Sequence, residues 1–272
     1  MTGSRSVSFV EPAERPIATS DSPRSSYGTI VVVGGGCYGS FYVRQLGRAS
    51  RAGVLEWERL LVVDRDQRCA VAVGEDSLDW PGTSSEPEIV VAEWREFFDS
   101  FLSKAAQTEN ETSDAIVPSP LMPHLMYEWL LDRARRRWPE RTVSSRPLAA
   151  APGMPWERAS PDGTHYVSFA TWTCPVNCIE PAICPRTRGE RTWSMPPALE
   201  RYVSSMSETA PGLLGPLVFH CTHRAYGVGM IDVADVVAAD RFVADKGTTE
   251  GVEVLVGTVS HCHGALNVLH VD

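Results

Sequence analysis

The stretch that most constrains this chain is residues 28–64, GTIVVVGGGCYGSFYVRQLGRASRAGVLEWERLLVVD. Residues 30–33 form a continuous aliphatic run, as expected for a strand buried on both faces. Gly34, Gly36 and Gly39 follow in the order G-x-G-x-x-G. A helix-compatible segment runs over about 38–49, and a second apolar run over 60–63 ends at Asp64. Each part has a physical task. Gly34 permits a tight turn out of the strand. Gly36 presents bare backbone to a ligand, and Gly39 lets the helix pack close to the strand. The helix N-terminus offers unpaired N–H groups and partial positive charge to a phosphate.

These residues resemble the Rossmann dinucleotide-binding unit, at superfamily level, over residues 28 to about 145. The resemblance implies a pyrophosphate over Gly34, Gly36, Cys37, Tyr38 and Gly39. It also implies an adenosine ribose held by Asp64. An acid at that place favours NAD over NADP, whereas Arg65 beside it offers a partner for a 2′-phosphate. The same pattern also exists as a plain turn that holds no nucleotide. The chain has no Ser-x-x-x-Tyr-x-x-x-Lys run after the fourth strand and no Glu-Lys-Pro triplet, so it lacks the catalytic residues of short-chain and sugar dehydrogenases.

With 272 residues, 43% of them hydrophobic, the chain can bury one large core or two small ones. A net charge of −9 argues against a general nucleic-acid or acidic-membrane binder. No run approaches a membrane-spanning length, and the N-terminus lacks a signal-peptide apolar core. The expected location is therefore cytoplasmic, where seven cysteines are thiols or metal ligands rather than a disulfide framework.

In chain order, residues 1–27 read as a disordered tail rich in Ser, Pro, Arg and Glu. After Asp64, a short helix is expected over 66–73, a loop over 74–87, a third strand at 89–92 and a helix over 94–105. A fourth strand at 114–117 ends in Pro118, the strand end where open parallel sheets place ligands. An amphipathic helix follows over 123–138, then a fifth strand at 142–145. The reading is a Rossmann-like, mostly parallel α/β sheet over 28–148. A Cys/Pro-rich elaboration over 149–272 either completes the same sheet or stands apart. Within it, strands are expected at 166–171, 217–221, 252–259 and 265–271, and helices at 199–206 and 231–244.

The second feature is TCPVNCIEPAICP, which places Cys174, Cys178 and Cys184 at C-x3-C-x5-C spacing. Clustered thiolates favour a soft or borderline cation. Further donors are offered by Cys221 and His223, which share a strand face, and by His261, Cys262 and His263. The spacing matches neither the C-x2-C pairs of a zinc ribbon nor the ferredoxin run. Zinc, an iron–sulfur cluster and reduced unmetallated thiols all remain open. His124, His165 and His270 read as hydrogen-bonded core residues. Arg133, Arg135, Arg136 and Arg137 read as a solvated helix face. Cys37 is either a thiol activated at a helix N-terminus or a packing residue. Arg224 and Tyr226, placed at a strand-to-helix junction, are candidates to hold and protonate an oxyanion.

The expectation is an NAD(P)-binding oxidoreductase with a cysteine-ligated metal centre. Its partners would be the dinucleotide and a small-molecule substrate or redox partner. The alternative is a non-catalytic NAD-binding redox or metal sensor, resembling the nucleotide-gating modules of ion-transport regulators.

Overall fold

The computed structural model describes residues 25–74, 84–107, 113–175, 178–206, 210 and 212–272. The elements are β1 (Ser25–Val33), α1 (Cys37–Arg51), β2 (Leu55–Asp64), α2 (Ala70–Val73), β3 (Pro87–Val91), α3 (Trp94–Gln107), β4 (Ala115–Val117), α4 (Leu125–Arg137) and β5 (Val143–Arg146). They continue as β6 (Trp156–Ala159), β7 (His165–Ser168), α5 (Met195–Ser205), β8 (Leu213–His220), β9 (Thr222–Ala225), β10 (Val228–Asp232), α6 (Val233–Lys246), β11 (Val252–Val259) and β12 (His263–Val271).

The architecture is α/β with two mixed sheets. The first runs β3-β2-β1-β4-β10-β9. Its first four strands are mutually parallel, and β10 and β9 close it antiparallel. The second runs β6-β7-β12-β11-β8, with β5 also paired to β12, and only its β11–β8 pair is parallel. Strands cross the boundary expected near residue 148 in both directions. β5 leaves the first sheet's chain segment to join β12, while β9 and β10 return from the C-terminal region to the first sheet.

Aliphatic alternation explains the layering. Val31, Val33, Leu61, Val63, Ile116 and Ile231 put one face of the first sheet against α3, α4 and α6. The far side of that layer meets Val252, Val254, Val256, Leu269 and Val271 of the second sheet. Ile30, Val32, Leu60 and Val62 face the other way, onto Val43, Leu46 and Ala49 of α1. Leu255, Leu266 and Val268 pack on Met195, Leu199 and Tyr202 of α5. Strands apolar on both faces are what a two-sided sheet needs, and each fully buried Leu or Val contributes about 1.5–3 kcal/mol.

Several expectations need adjusting. Residues 1–24 lie outside the described residues, as do 75–83 and 108–112 of the expected loops. Residues 25–27, assigned to the tail, are strand: Ser25 pairs with Leu55, and Tyr27 with Trp57. Tyr27 is buried and accepts a hydrogen bond from Arg224. The expected strand-to-helix junction at Arg224 and Tyr226 is a β9–β10 hairpin, with Tyr226 at φ +43° in its turn. Short strands β6, β9 and β10 carry too few alternating residues to signal themselves in sequence. Among the described residues, no helix is long and apolar enough to cross a membrane.

Candidate functional site

Two regions bring the expected residues together. The first is the turn from β1 into α1. Gly34 has φ +86°, which favours glycine, and its N–H donates to Val63 O at 2.9 Å. A Cβ on Gly39 would lie 1.9 Å from Gly34 O, so only glycine lets the helix start this close to the turn. A Cβ on Gly36 would meet nothing within 4 Å, so the backbone there faces open space. Gly36 is the N-cap of α1, with no side-chain cap and no acid in the first turn. The N-terminal N–H groups therefore keep their partial positive charge. Cys37 and Tyr38 are exposed beside it, and the buried Ser40 Oγ has no hydrogen-bond partner.

Asp64 has a task that sequence did not suggest. Its Oδ2 accepts the Gly35 N–H at 2.7 Å and its Oδ1 the Asp66 N–H at 2.8 Å. The carboxylate clamps the glycine turn, and each oxygen keeps lone-pair capacity toward solvent. Arg65 points away from that role. It pairs with Glu93 at 3.6 Å and lies 5.9 Å over the Trp94 ring. Pro118 follows β4, whose parallel pairing with β1 puts it at the same sheet end as Gly34.

The second region lies at one end of the second sheet. The register sets Val259 opposite both His220 and Gly264, and His263 opposite Ser168. The β11–β12 turn, Ser260-His261-Cys262, therefore sits between the ends of β7 and β8. The cysteine loop folds over this turn through one buried carboxylate. Glu180 accepts Ser260 Oγ at 2.6 Å, His261 N–H at 2.7 Å and Cys262 N–H at 3.3 Å. Burial works to raise the Glu180 carboxyl, but the Ser260 hydroxyl, His223 and the His261 N–H outweigh it and hold the group below its ordinary value. Its backbone sits at φ +50°, a conformation that costs a non-glycine residue about 1–2 kcal/mol.

Cys174, Cys178, Cys184, Cys262, His223 and His263 all line one cleft of about 200 Å³, with Glu180, Arg191, Trp172 and Trp193. Trp193 Nε1–H donates to Cys262 Sγ at 3.2 Å, and Glu180 N–H to Cys178 Sγ at 3.4 Å. The Thr187 N–H and hydroxyl, with the Arg186 N–H, hold the Cys184 thiol below its usual range. Burial raises Cys174, reinforced by Cys178 and Cys184 nearby. Burial also pushes Cys262 up to about 12. Such a thiol is a poor nucleophile, and it loses its proton to solvent readily only when a metal cation takes the proton's place on sulfur. Among the described residues, no three Cys, His, Asp or Glu side chains are gathered closely enough to hold a single metal ion.

The imidazoles are held by oxygen partners. His263 Nδ1 is 2.9 Å from Ser168 Oγ, His261 Nδ1 is 2.9 Å from Ser194 Oγ, and His223 Nδ1 is 3.9 Å from Glu180. His261 stands edge-on to His220, with ring centroids 4.8 Å apart. Burial lowers the pKa of all four, so each is neutral near pH 7.

Two expected donors stand outside the cleft wall. His261 turns to Ser194 and His220. Cys221 packs against Gly229, where an added Cβ would lie 2.5 Å from its sulfur, and burial pushes its thiol up to about 12. Arg224 is engaged by Asp232 and by the Tyr27 hydroxyl at 2.7 Å, and the Tyr226 ring lies 5.1 Å under Arg48. Both serve the β9–β10 hairpin in this arrangement. Nor are the arginines of α4 a free basic face. Arg133 and Arg137 pair with buried Asp240, Arg136 with Asp99 and Arg135 with Asp132. Of the three histidines read as core, His124 bonds Thr258 and His165 bonds Glu157, but His270 has no hydrogen-bond partner. Sequence reading passed over Glu180, Ser168, Ser194 and Trp193. Only Glu180 carried a signal, lying inside the cysteine motif.

The sequence matches one family model over residues 126–272, described as the C-terminal domain of an uncharacterized protein. The chain belongs to this family. The match begins in α4 and takes in every residue of the cysteine and histidine cleft, while the glycine turn lies before it. No curated protein and no solved structure matches the chain.

Proposed function

We propose that this protein is an NAD-binding oxidoreductase with a cysteine-ligated metal centre. The observation that carries the proposal is the convergence of Cys174, Cys178, Cys184, Cys262, His223 and His263, from three separate chain segments, on one cleft. Reduced thiols and neutral imidazoles are the donor set of zinc and iron–sulfur sites. Bound there, a metal supplies Lewis-acid or electron-transfer chemistry that these side chains lack. Glu180 orients the turn that carries Cys262, and Ser168 orients the His263 ring.

The dinucleotide half of the proposal rests on the Rossmann-like β1–α1–β2 unit and its parallel strand order β3-β2-β1-β4. The open face of Gly36 and the uncapped α1 N-terminus suit a pyrophosphate. Asp64 keeps lone pairs for ribose hydroxyls while clamping the turn. With Arg65 drawn to Glu93 and Trp94, a 2′-phosphate finds an acid and no ready cation, so NAD is preferred to NADP. A bound nicotinamide supplies hydride chemistry.

One observation favours a second reading, an NAD-binding redox or metal sensor without turnover. The cleft wall contains no residue of the glycine turn. The two regions are joined by packing: α1 lies against β9, which carries His223. The test is calorimetric titration of NAD into wild-type and Gly36→Val protein, with metal analysis of both. Wild-type binding that the valine abolishes, together with bound metal lost in Cys178→Ser, is the expected result. Equal NAD affinity in both proteins would refute the glycine-turn assignment. Binding that alters the metal site with no cofactor turnover on any carbonyl or alcohol substrate would move the sensor reading ahead.

A further inference from the structure

We infer that the cleft is the site of an iron–sulfur cluster ligated by Cys174, Cys178, Cys184 and Cys262, with the histidines around it rather than on it. This deepens the metal-centre reading and rests on it.

The first argument is how the sulfurs are solvated. Each of the four faces an N–H group. Cys178 accepts from Glu180 and Cys262 from the Trp193 indole. Cys184 accepts from Arg186 and Thr187 in the turn that follows it. The buried indole N–H of Trp172, without any partner inside ordinary hydrogen-bond limits, lies against Cys174. N–H groups aimed at sulfur stabilise coordinated thiolates and tune cluster potential. They serve little purpose around neutral packing thiols, which are weak acceptors.

The second argument is size. Four-coordinate zinc draws its sulfurs to about 2.3 Å and leaves no room inside. Here the thiols line a cleft of about 200 Å³, well above the roughly 10–15 Å³ of cavity that holds one water. Sulfurs on the walls of a volume suit a polynuclear core better than a single cation.

The third argument concerns surroundings. Trp172 and Trp193 line the cleft with the sulfurs, and the Trp193 ring centroid lies 6.3 Å from those of both Phe169 and Trp172, so apolar rings flank the thiols on this side. Arg191 lies in the wall, fixed by Pro181 O at 3.3 Å and Trp193 O at 2.8 Å, and offsets the anionic charge of four thiolates. Cys262 is buried with its sulfur accepting from the Trp193 indole, while the His263 ring is already engaged by Ser168 Oγ at 2.9 Å.

The experiment is anaerobic purification of the full chain, followed by reconstitution with iron and sulfide. Iron, acid-labile sulfide and zinc are measured, and electron paramagnetic resonance is recorded after dithionite reduction. The expected wild-type result is roughly four iron and four sulfide per chain with a reduced-cluster signal. Cys262→Ser should lose at least half of that iron, or show an altered signal, while His263→Ala keeps the wild-type stoichiometry. Wild-type protein that binds one zinc and no sulfide would overturn the cluster and leave the metal-centre reading standing. Protein that takes up no metal would overturn both. A full, unchanged cluster in soluble Cys262→Ser, with loss in His263→Ala, would overturn the ligand assignment.

Discussion

Removal of the Glu180 carboxylate gives the sharpest test of how the cleft is assembled. Glu180→Ala deletes two short charge-assisted bonds, to Ser260 Oγ at 2.6 Å and His261 N–H at 2.7 Å. Bonds to a charged group contribute about 1.5–3 kcal/mol each, and two sharing one carboxylate do not fully add. The deletion also leaves the buried Cys262 N–H with only a 3.3 Å contact to Ser260. The expected loss is about 3–5 kcal/mol. Alanine keeps the φ +50° backbone and relieves none of its cost. Glu180→Gly loses the same bonds but sits there freely, so it should be about 1 kcal/mol more stable than Glu180→Ala. Urea unfolding with chelator present throughout compares the three proteins without a contribution from bound metal. The pH profile gives an independent check. The folded Glu180 value lies below its ordinary one, so its stabilisation is present above the unfolded value and lost as pH falls through the folded value. The difference between wild type and Glu180→Gln should therefore shrink toward acid. An alanine variant within about 1 kcal/mol of wild type would refute the staple, and a glycine variant no better than alanine would refute the strain.

Three further outcomes are expected. Gly39→Ala should destabilise the fold by more than the usual helical gain from alanine, because its Cβ falls 1.9 Å from Gly34 O, and a thermal melt unchanged from wild type would contradict that close approach. Burial holds His124 near a pKa of about 3, below the ordinary 6.5, so stability should fall as pH drops below about 6.5, by up to ~1.4 kcal/mol per unit from this residue; a pH–stability curve that is no shallower in His124→Gln would count against it. Asp240→Ala should cost about 3–5 kcal/mol by leaving Arg133 and Arg137 half-buried without their partner, and urea midpoints should shift accordingly.

Local rules carried the reading where the chain interacts with itself over short distances. The β1–α1–β2 unit was legible because strand, glycines, helix and closing acid lie within 37 residues. Gly34 and Gly39 have the backbone reasons expected of them. Most of the longer elements appeared within a few residues of their expected ends. The cysteine motif likewise placed three thiols in one short loop, and all three line the same cleft.

Sequence by itself thus determined most of the longer elements, the glycine turn and the presence of a thiol-rich loop. Tertiary structure decided how they are partnered. Sheet pairing is a contest among strands of similar apolar pattern, and alternation does not say which edge wins. That is why β5 pairs with β12, and why β9 and β10 close the first sheet. The same holds for side chains. Asp64 had to meet Gly35 across 29 positions before its clamp was visible, and Glu180 had to meet Ser260 across 80. Arg224 was a candidate to hold an oxyanion and is bound to Tyr27 across 197 positions. Cys262 and His263 reach the cleft while Cys221, equally plausible by spacing, is packed beneath Gly229. Residue type fixes what a side chain can do chemically. The fold fixes which groups it meets, because contacts this distant in sequence form only when both sheets are complete.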